Sequence, residues 1–221
     1  MSRDYDVIIV GGGPAGIFAA LELVERTGKI LIIEKGKNLA ERFCPSKNKH
    51  IPCIKCKPCS IVCGWGGAGA FSDGKLTLSP EVGGFLDEYI PKDRLHKRIR
   101  YVDDLYLRFG APEKVYGDDE ETITEIEKKA ILADLRLIPS RIRHLGSGRT
   151  LEILEAMKEH LERKGVEVSI GSACEELLVK NGEAVGVRLC GGEVFTGKYI
   201  IVGPGREGSE WMVAEGKRLG L

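Results

Sequence analysis

Four cysteines, Cys53, Cys56, Cys59 and Cys63, fall within eleven residues in the spacing C-x2-C-x2-C-x3-C. Thiolates spaced this way hold iron–sulfur clusters in ferredoxins. Zinc is an alternative, because a tetrahedral site needs only suitably placed thiolates. C-x-x-C pairs also exchange disulfides with a redox partner. Glycine stands after Cys63 where the ferredoxin run has proline, and there is one such run. Two-cluster ferredoxins send the fourth cysteine to the other cluster, so Cys44 is an alternative last ligand for a single cluster. Iron–sulfur cluster, zinc site, redox dithiol and inert thiols all stay open, with the cluster as the leading reading. Cys174 and Cys190 stand in strand-like stretches and read as core residues.

A glycine run follows at once, Gly64-Trp-Gly-Gly-Ala-Gly-Ala-Phe-Ser-Asp-Gly-Lys75. Gly64, Gly66, Gly67, Gly69 and Gly74 remove side chains over a span suited to an extended cofactor, since glycine lets backbone approach a ligand closely. Trp65 and Phe71 give the run a packed rather than a free character.

The elements that must position these groups begin at the N-terminal end. Val7–Val10 is an apolar, β-branched run, as in a strand buried on both faces. Gly11, Gly13 and Gly16 then match GxGxxG, with Pro14 and Ala15 inside it. The spacing from Ile17 to Arg26 predicts a helix stopped by Gly28. A second strand, Ile30–Ile33, ends on Glu34, 18 residues beyond Gly16. In such a unit the first glycine turns the chain, the second admits a pyrophosphate, and the third lets helix pack on strand. The helix N-terminus faces the phosphate, and Glu34 can accept hydrogen bonds from ribose hydroxyls.

The far end repeats the pattern. Thr150–Lys164 has helical apolar spacing, with Thr150 as N-cap and Gly165 as stop. A strand follows at Val166–Ile170. Two further strands, Glu175–Lys180 and Ala184–Leu189, flank the turn signal Asn181-Gly182. Lys198–Val202 is another strand, ending on Gly203-Pro-Gly205. Between the two ends, Lys92–Arg108 reads as a helix, Asp118–Glu121 as a solvated charged face, and Leu135–Ile138 and Arg141–Leu145 as strands. Arg141, Arg143 and His144 offer cationic groups for an anionic substrate, although surface or structural duty suits them better.

Composition excludes several classes. Basic and acidic residues number 33 each, so no charge excess draws the chain to nucleic acid or an anionic membrane. The apolar stretch Val7–Leu21 is too short and too glycine-rich for a membrane span. The polar start (Ser2, Arg3, Asp4, Asp6) argues against a secretory leader, and a cytoplasmic location is expected. The sequence has no glutamine and three asparagines, with 30% charged residues. This bias suits a thermophile, where intracellular disulfides also occur.

Together these features resemble the FAD-binding half of the two-dinucleotide-binding flavoprotein superfamily, and within it a group of FAD-dependent dehydrogenases. The resemblance rests on Arg42-Phe43-Cys44-Pro45, the cysteine run, the glycine run to Lys75, and Gly203-Pro-Gly-Arg-Glu-Gly-Ser-Glu-Trp211. It implies an α/β, Rossmann-like FAD-binding fold, a parallel sheet with helices and a β-meander, plus a mostly helical insert. The FAD domain would comprise residues 1–79 and 150–221, with the cysteine loop at 44–63, and the substrate-side insert residues 80–149. A nicotinamide domain would continue with further strand–helix units after Glu34, which favours FAD over NAD.

The resemblance also implies cofactor contacts from Glu34, Lys35, Arg42, Gly66, Gly67, Ala68 and Phe71. Ser72 and Asp73 would offer polar contacts at the flavin end, and the charge of Lys75 would favour reduced flavin. Cys174 would touch adenine, and Gly203 and Gly205 would turn beside the cofactor. No catalytic residue is assigned. The activity implied is that of an FAD-dependent oxidoreductase with a cysteine-based redox centre; the alternatives are an electron-transfer subunit or a zinc-stabilised fragment. Partners would be a small-molecule substrate or an electron-carrier protein. Superfamily members continue past the Gly203 turn, so an oligomer or a partner chain supplying a C-terminal half is also expected.

Overall fold

The computed structural model describes residues 4–49 and 51–221; the polar start at Ser2 and Arg3 lies outside them. The chain divides into two compact units, one running up to Phe71 and resuming at Leu154–Leu221, the other Ser72–Ile153.

The first unit is built on a six-stranded sheet. Its strands are β1 (Asp4–Val10), β2 (Ile30–Glu34), β6 (Glu167–Ile170), β7 (Cys174–Lys180), β8 (Glu183–Leu189) and β9 (Val194–Val202), in the order β6-β2-β1-β9-β8-β7. β6, β2, β1 and β9 run parallel, while β7, β8 and β9 form an antiparallel meander. Asn181 and Gly182, both in the left-handed region at φ 54° and 81°, make the tight β7–β8 turn that their types favour.

Every residue of β2 is buried, as parallel strands covered on both faces require. Side chains alternate across the pleat. Ile8, Val10, Leu31 and Ile33 therefore share one face, in a core with Tyr5, Leu177, Val187 and Leu189. Ile9, Ile30 and Ile32 face the other way and are equally buried. Helix α1 (Pro14–Leu23) follows β1. Helix α5 (Ser147–Arg163) precedes β6 and buries Met157 and Leu161 completely. Thr150 lies inside α5, its hydroxyl bonded to the Gly146 carbonyl, so it is not the cap. A final helix, α6 (Ser209–Leu219), follows β9.

The second unit carries a three-stranded antiparallel sheet, β3 (Lys75–Thr77), β5 (Ile142–His144) and β4 (Val115–Tyr116), in the order β3-β5-β4. The pairing of β3 with β5 draws residues 72–79 into this unit, so its boundary falls earlier than the expected 80. Helix α3 (Lys92–Arg108) occupies the expected span. The charged stretch becomes α4 (Glu120–Leu132), capped by Asp119 accepting from the Glu121 and Thr122 N–H groups. A short α2 (Pro45–Lys49) lies in the cysteine loop of the first unit. Residues 135–138 form no strand.

Arg143 sits at the centre of β5 and is 3% exposed. Its Nε and Nη2 donate to the two Asp103 carboxylate oxygens at 2.6 and 2.8 Å, and Nη1 donates to the Pro112 carbonyl. All three nitrogens are engaged within this unit, which is the structural duty weighed above against a substrate contact. Removing one partner of such a buried pair strands the other charge. Arg143→Ala is therefore expected to cost about 3 kcal/mol, and exposed His144→Ala less than about 0.5 kcal/mol. Urea unfolding followed by far-ultraviolet circular dichroism checks both.

Candidate cofactor site

The carboxyl ends of β1, β2 and β9 open into a cleft of about 840 Å³, lined wholly by the first unit. Its size is that of a cofactor site. Main-chain bonds set its floor: Gly11 N–H reaches Ile33 O and Gly203 N–H reaches Val10 O, each at 2.8 Å. Gly11, Gly13, Pro14 and Ala15 line it from the first glycine loop, and Gly203 and Gly205 from the turn after β9. Helix α1 starts here with no side chain capping it, so its first N–H groups and its dipole are available to an anion. Gly16 does not line the cleft. A Cβ there would strike the Gly11 carbonyl, which is the close packing the third glycine provides.

Glu34 lines the cleft, 7% exposed. Its Oε2 accepts the Gly12 N–H at 2.7 Å, and its Oε1 accepts Gly36 and Gly64 N–H at 2.7 and 2.9 Å. A carboxylate offers about four lone-pair sites. Three are taken by backbone, which leaves one on Oε2 for a hydroxyl. Lys35 also lines the cleft, its ammonium donating to the Glu207 carbonyl at 3.0 Å.

The second glycine run divides. Gly67, Ala68 and Gly69 line the cleft; Gly66 and Phe71 do not. Gly64 and Gly66 are glycines because protein, rather than cofactor, comes close. A Cβ on Gly64, whose φ is 116°, would meet Arg42 Cδ at 2.6 Å, and one on Gly66 would meet Leu154 Cδ1 at 2.5 Å. Gly66 N–H bonds Gly12 O at 2.8 Å, docking this turn on the first glycine loop. Trp65 is fully buried, its indole N–H on Leu154 O at 2.8 Å. Arg42 lies behind the wall, its guanidinium bonded to main-chain carbonyls. Ser72, Asp73 and Lys75 fall in the second unit, where Asp73 and Lys75 pair at 2.8 Å. Gly74 belongs there too, abutting Gly146.

Cys63 and Cys174 line the cleft. Burial pushes the Cys63 thiol up to about 11, against the opposing pull of Lys35. Burial likewise raises Cys174 to about 12. Without a metal, both are therefore neutral thiols near pH 7. Cys53 is exposed, while Cys44, Cys56 and Cys59 are half-buried. Among the described residues no three His, Cys, Asp or Glu side chains come together as a metal-holding group. Of the four cysteines in the run, Cys63 takes part in the cleft wall and Cys53 faces solvent.

Sequence reasoning missed part of the cleft. Ser172, Ala173, Arg206, Ser209, Trp211 and Met212 also line it. The signal was present in Ser209–Leu219, whose Trp211, Met212 and Leu219 recur at helical spacing.

Residues 5–66 match the pyridine nucleotide-disulphide oxidoreductase family model. An uncharacterized protein of Clostridium beijerinckii is 29% identical over 182 residues, covering 80% of this chain and 26% of that protein. The digeranylgeranylglycerophospholipid reductase of Methanospirillum hungatei is 29% identical over 126 residues, covering 50% and 28%. The chain thus spans about a quarter of the length of these curated relatives. The L-amino acid deaminase of Proteus vulgaris superposes with a TM-score of 0.57 at 15% identity, covering 100% of this chain and 51% of that one. The glycine oxidase of Geobacillus kaustophilus gives 0.54 at 16%, covering 100% and 59%. Among the described residues no helix is long and apolar enough to cross a membrane. The first strand–helix–strand unit thus resembles the pyridine nucleotide-disulphide oxidoreductase family, and the chain as a whole shares the fold of the deaminase and the oxidase.

Proposed function

We propose that this chain holds FAD in the cleft of its first unit and serves an FAD-dependent oxidoreductase. The observation that carries this is the convergence on one cleft of an uncapped helix start at Gly13, the Glu34 carboxylate and the Gly203–Gly205 turn. Main-chain N–H groups at the start of α1 would hold the pyrophosphate. The free lone pair of Glu34 would orient the ribose. Ala173, Cys174 and Trp211 offer an apolar wall for the adenine, with Trp211 fixed by its N–H on Glu175 O at 2.7 Å. Bound there, FAD supplies two-electron oxidation and reduction. The named relatives include a phospholipid reductase and a glycine oxidase; they have redox chemistry in common and no substrate. A small molecule or an electron-carrier protein is accordingly proposed as the exchanging partner.

The finer reading, an iron–sulfur cluster on Cys53, Cys56, Cys59 and Cys63, is supported by their spacing and not by their placement. Among the described residues the four thiols do not come together as a metal-holding group.

The test is a visible spectrum of protein purified without oxygen, then again after incubation with FAD and gel filtration. Structured flavin absorbance at stoichiometric occupancy is expected. A chain that stays colourless after incubation would overturn the reading. Iron and sulfide analysis of the same sample decides the cluster separately.

A further inference from the structure

Arg42 stands at the join between the cysteine segment and the cleft wall, and is 4% exposed. Its Nε donates to Ser60 O at 2.8 Å and its Nη2 to Ile61 O at 2.9 Å. Both carbonyls lie between Cys59 and Cys63. On the other side Nη1 donates to Trp65 O at 2.6 Å and Nη2 to Gly67 O at 2.8 Å. The guanidinium plane covers the Phe71 ring at 4.8 Å. A planar fork fixes the direction of all four carbonyls at once, which a lysine ammonium cannot do.

The contacts continue in both directions. Val62 and Cys63 N–H groups bond Cys59 O at 3.1 and 2.8 Å, closing the segment into a helical turn. Gly66 N–H bonds Gly12 O, which ties the second glycine turn to the first. Cys63 lines the cleft, whereas Cys59 does not. A buried polar network satisfied in this way is rigid and moves as one piece.

We propose that Arg42 is a positioning residue that joins the cysteine segment to the cofactor cleft, so that occupancy of the cleft governs the reactivity of Cys59, and modification of Cys59 weakens the cofactor. The second effect runs through the same bonds, since a segment displaced by modification pulls on the guanidinium that holds the Trp65 and Gly67 carbonyls. The inference rests on the reading of the cleft as an FAD site.

The experiment measures N-ethylmaleimide alkylation of each cysteine by mass spectrometry, with and without saturating FAD, in the wild type and in Arg42→Lys. FAD binding is read independently from the flavin spectrum. In the wild type, FAD is expected to slow alkylation of Cys59 by about fivefold or more. In Arg42→Lys with FAD bound, protection of Cys59 should be lost while Cys63, shielded directly, stays protected. Equal Cys59 rates with and without bound FAD in the wild type overturn the coupling, and unchanged protection in Arg42→Lys overturns the assignment to Arg42. A flavin spectrum showing no bound FAD overturns the FAD reading itself, and the coupling with it. Should Arg42→Lys fail to fold, amide exchange in the wild type decides. Ser60 and Ile61 N–H, which lie outside the cleft lining, should slow together with Gly66 N–H on FAD binding, and slowing confined to Gly66 overturns the proposal.

Discussion

Gly13→Ala is expected to leave the apo-protein intact and to weaken FAD binding about 100-fold, or nearly 3 kcal/mol. Gly13 has φ −85° and ψ −175°, extended backbone that alanine adopts without strain. A Cβ there would find Gly67 Cα at 3.8 Å, an ordinary contact, and no other protein atom within 4 Å. What the methyl enters is the cleft, at the point where the start of α1 should meet a pyrophosphate. Restricting the unfolded chain should even stabilise the apo form, by about 0.5 kcal/mol. Gly16→Ala is the control. Its Cβ would strike the Gly11 carbonyl, so it should cost stability with or without cofactor. Denaturant unfolding of the apo forms and FAD titration by fluorescence separate the two. Normal FAD affinity in Gly13→Ala would mean that no pyrophosphate lies against the glycine loop.

That contrast also shows what the sequence makes legible. The roles of Gly11, Gly13 and Gly16 are local: strand, turn and helix lie within a few residues, and hydrophobic periodicity marks each. Asn181-Gly182 was readable for the same reason. Arg42 was not, because its partners are main-chain carbonyls 18 to 25 residues away, and a carbonyl leaves no mark on residue type. The glycine run was read as one cofactor loop although Gly66 answers to Leu154, on a helix 88 positions later. Gly74, by contrast, belongs to another unit. Helix α4 buries none of its residues, and the helical spacing of Ile123, Ile126 and Ala130 was masked by the charges around it. The start of α6 was hidden by Gly203-Pro-Gly-Arg-Glu-Gly208, which reads as turn punctuation although it leads into a helix bordering the cleft. The cysteine spacing was the clearest motif in the chain and the least informative about placement. Spacing limits which thiols are able to meet, and it gave no sign that Cys63 lines the cleft while Cys53 faces solvent.

Glu34→Ala is expected to destabilise the apo-protein by about 4 kcal/mol, because it leaves three buried N–H groups without an acceptor and each costs about 1–3 kcal/mol, partly relieved by entering water. Glu34→Gln should cost about 2 kcal/mol. Its amide keeps one oxygen for Gly36 and Gly64 but turns an NH2 group toward the Gly12 N–H, or the reverse. The ordering tests what the glutamate is for. If Glu34 served only a ribose, removing it would lower FAD affinity and leave the empty protein untouched. Its hydrogen bonds instead join the first glycine loop at Gly12, the bend after β2 at Gly36 and the second glycine turn at Gly64. Their chain neighbours Gly11, Gly13, Lys35 and Cys63 line the cleft, so the carboxylate holds the wall in place before any ligand arrives. Urea unfolding of cofactor-free protein is the measurement, and wild-type stability in Glu34→Ala would return the residue to the ribose alone. A loss in the empty protein, followed by a further loss of FAD affinity in Glu34→Gln, would show one carboxylate both building the cleft and facing into it.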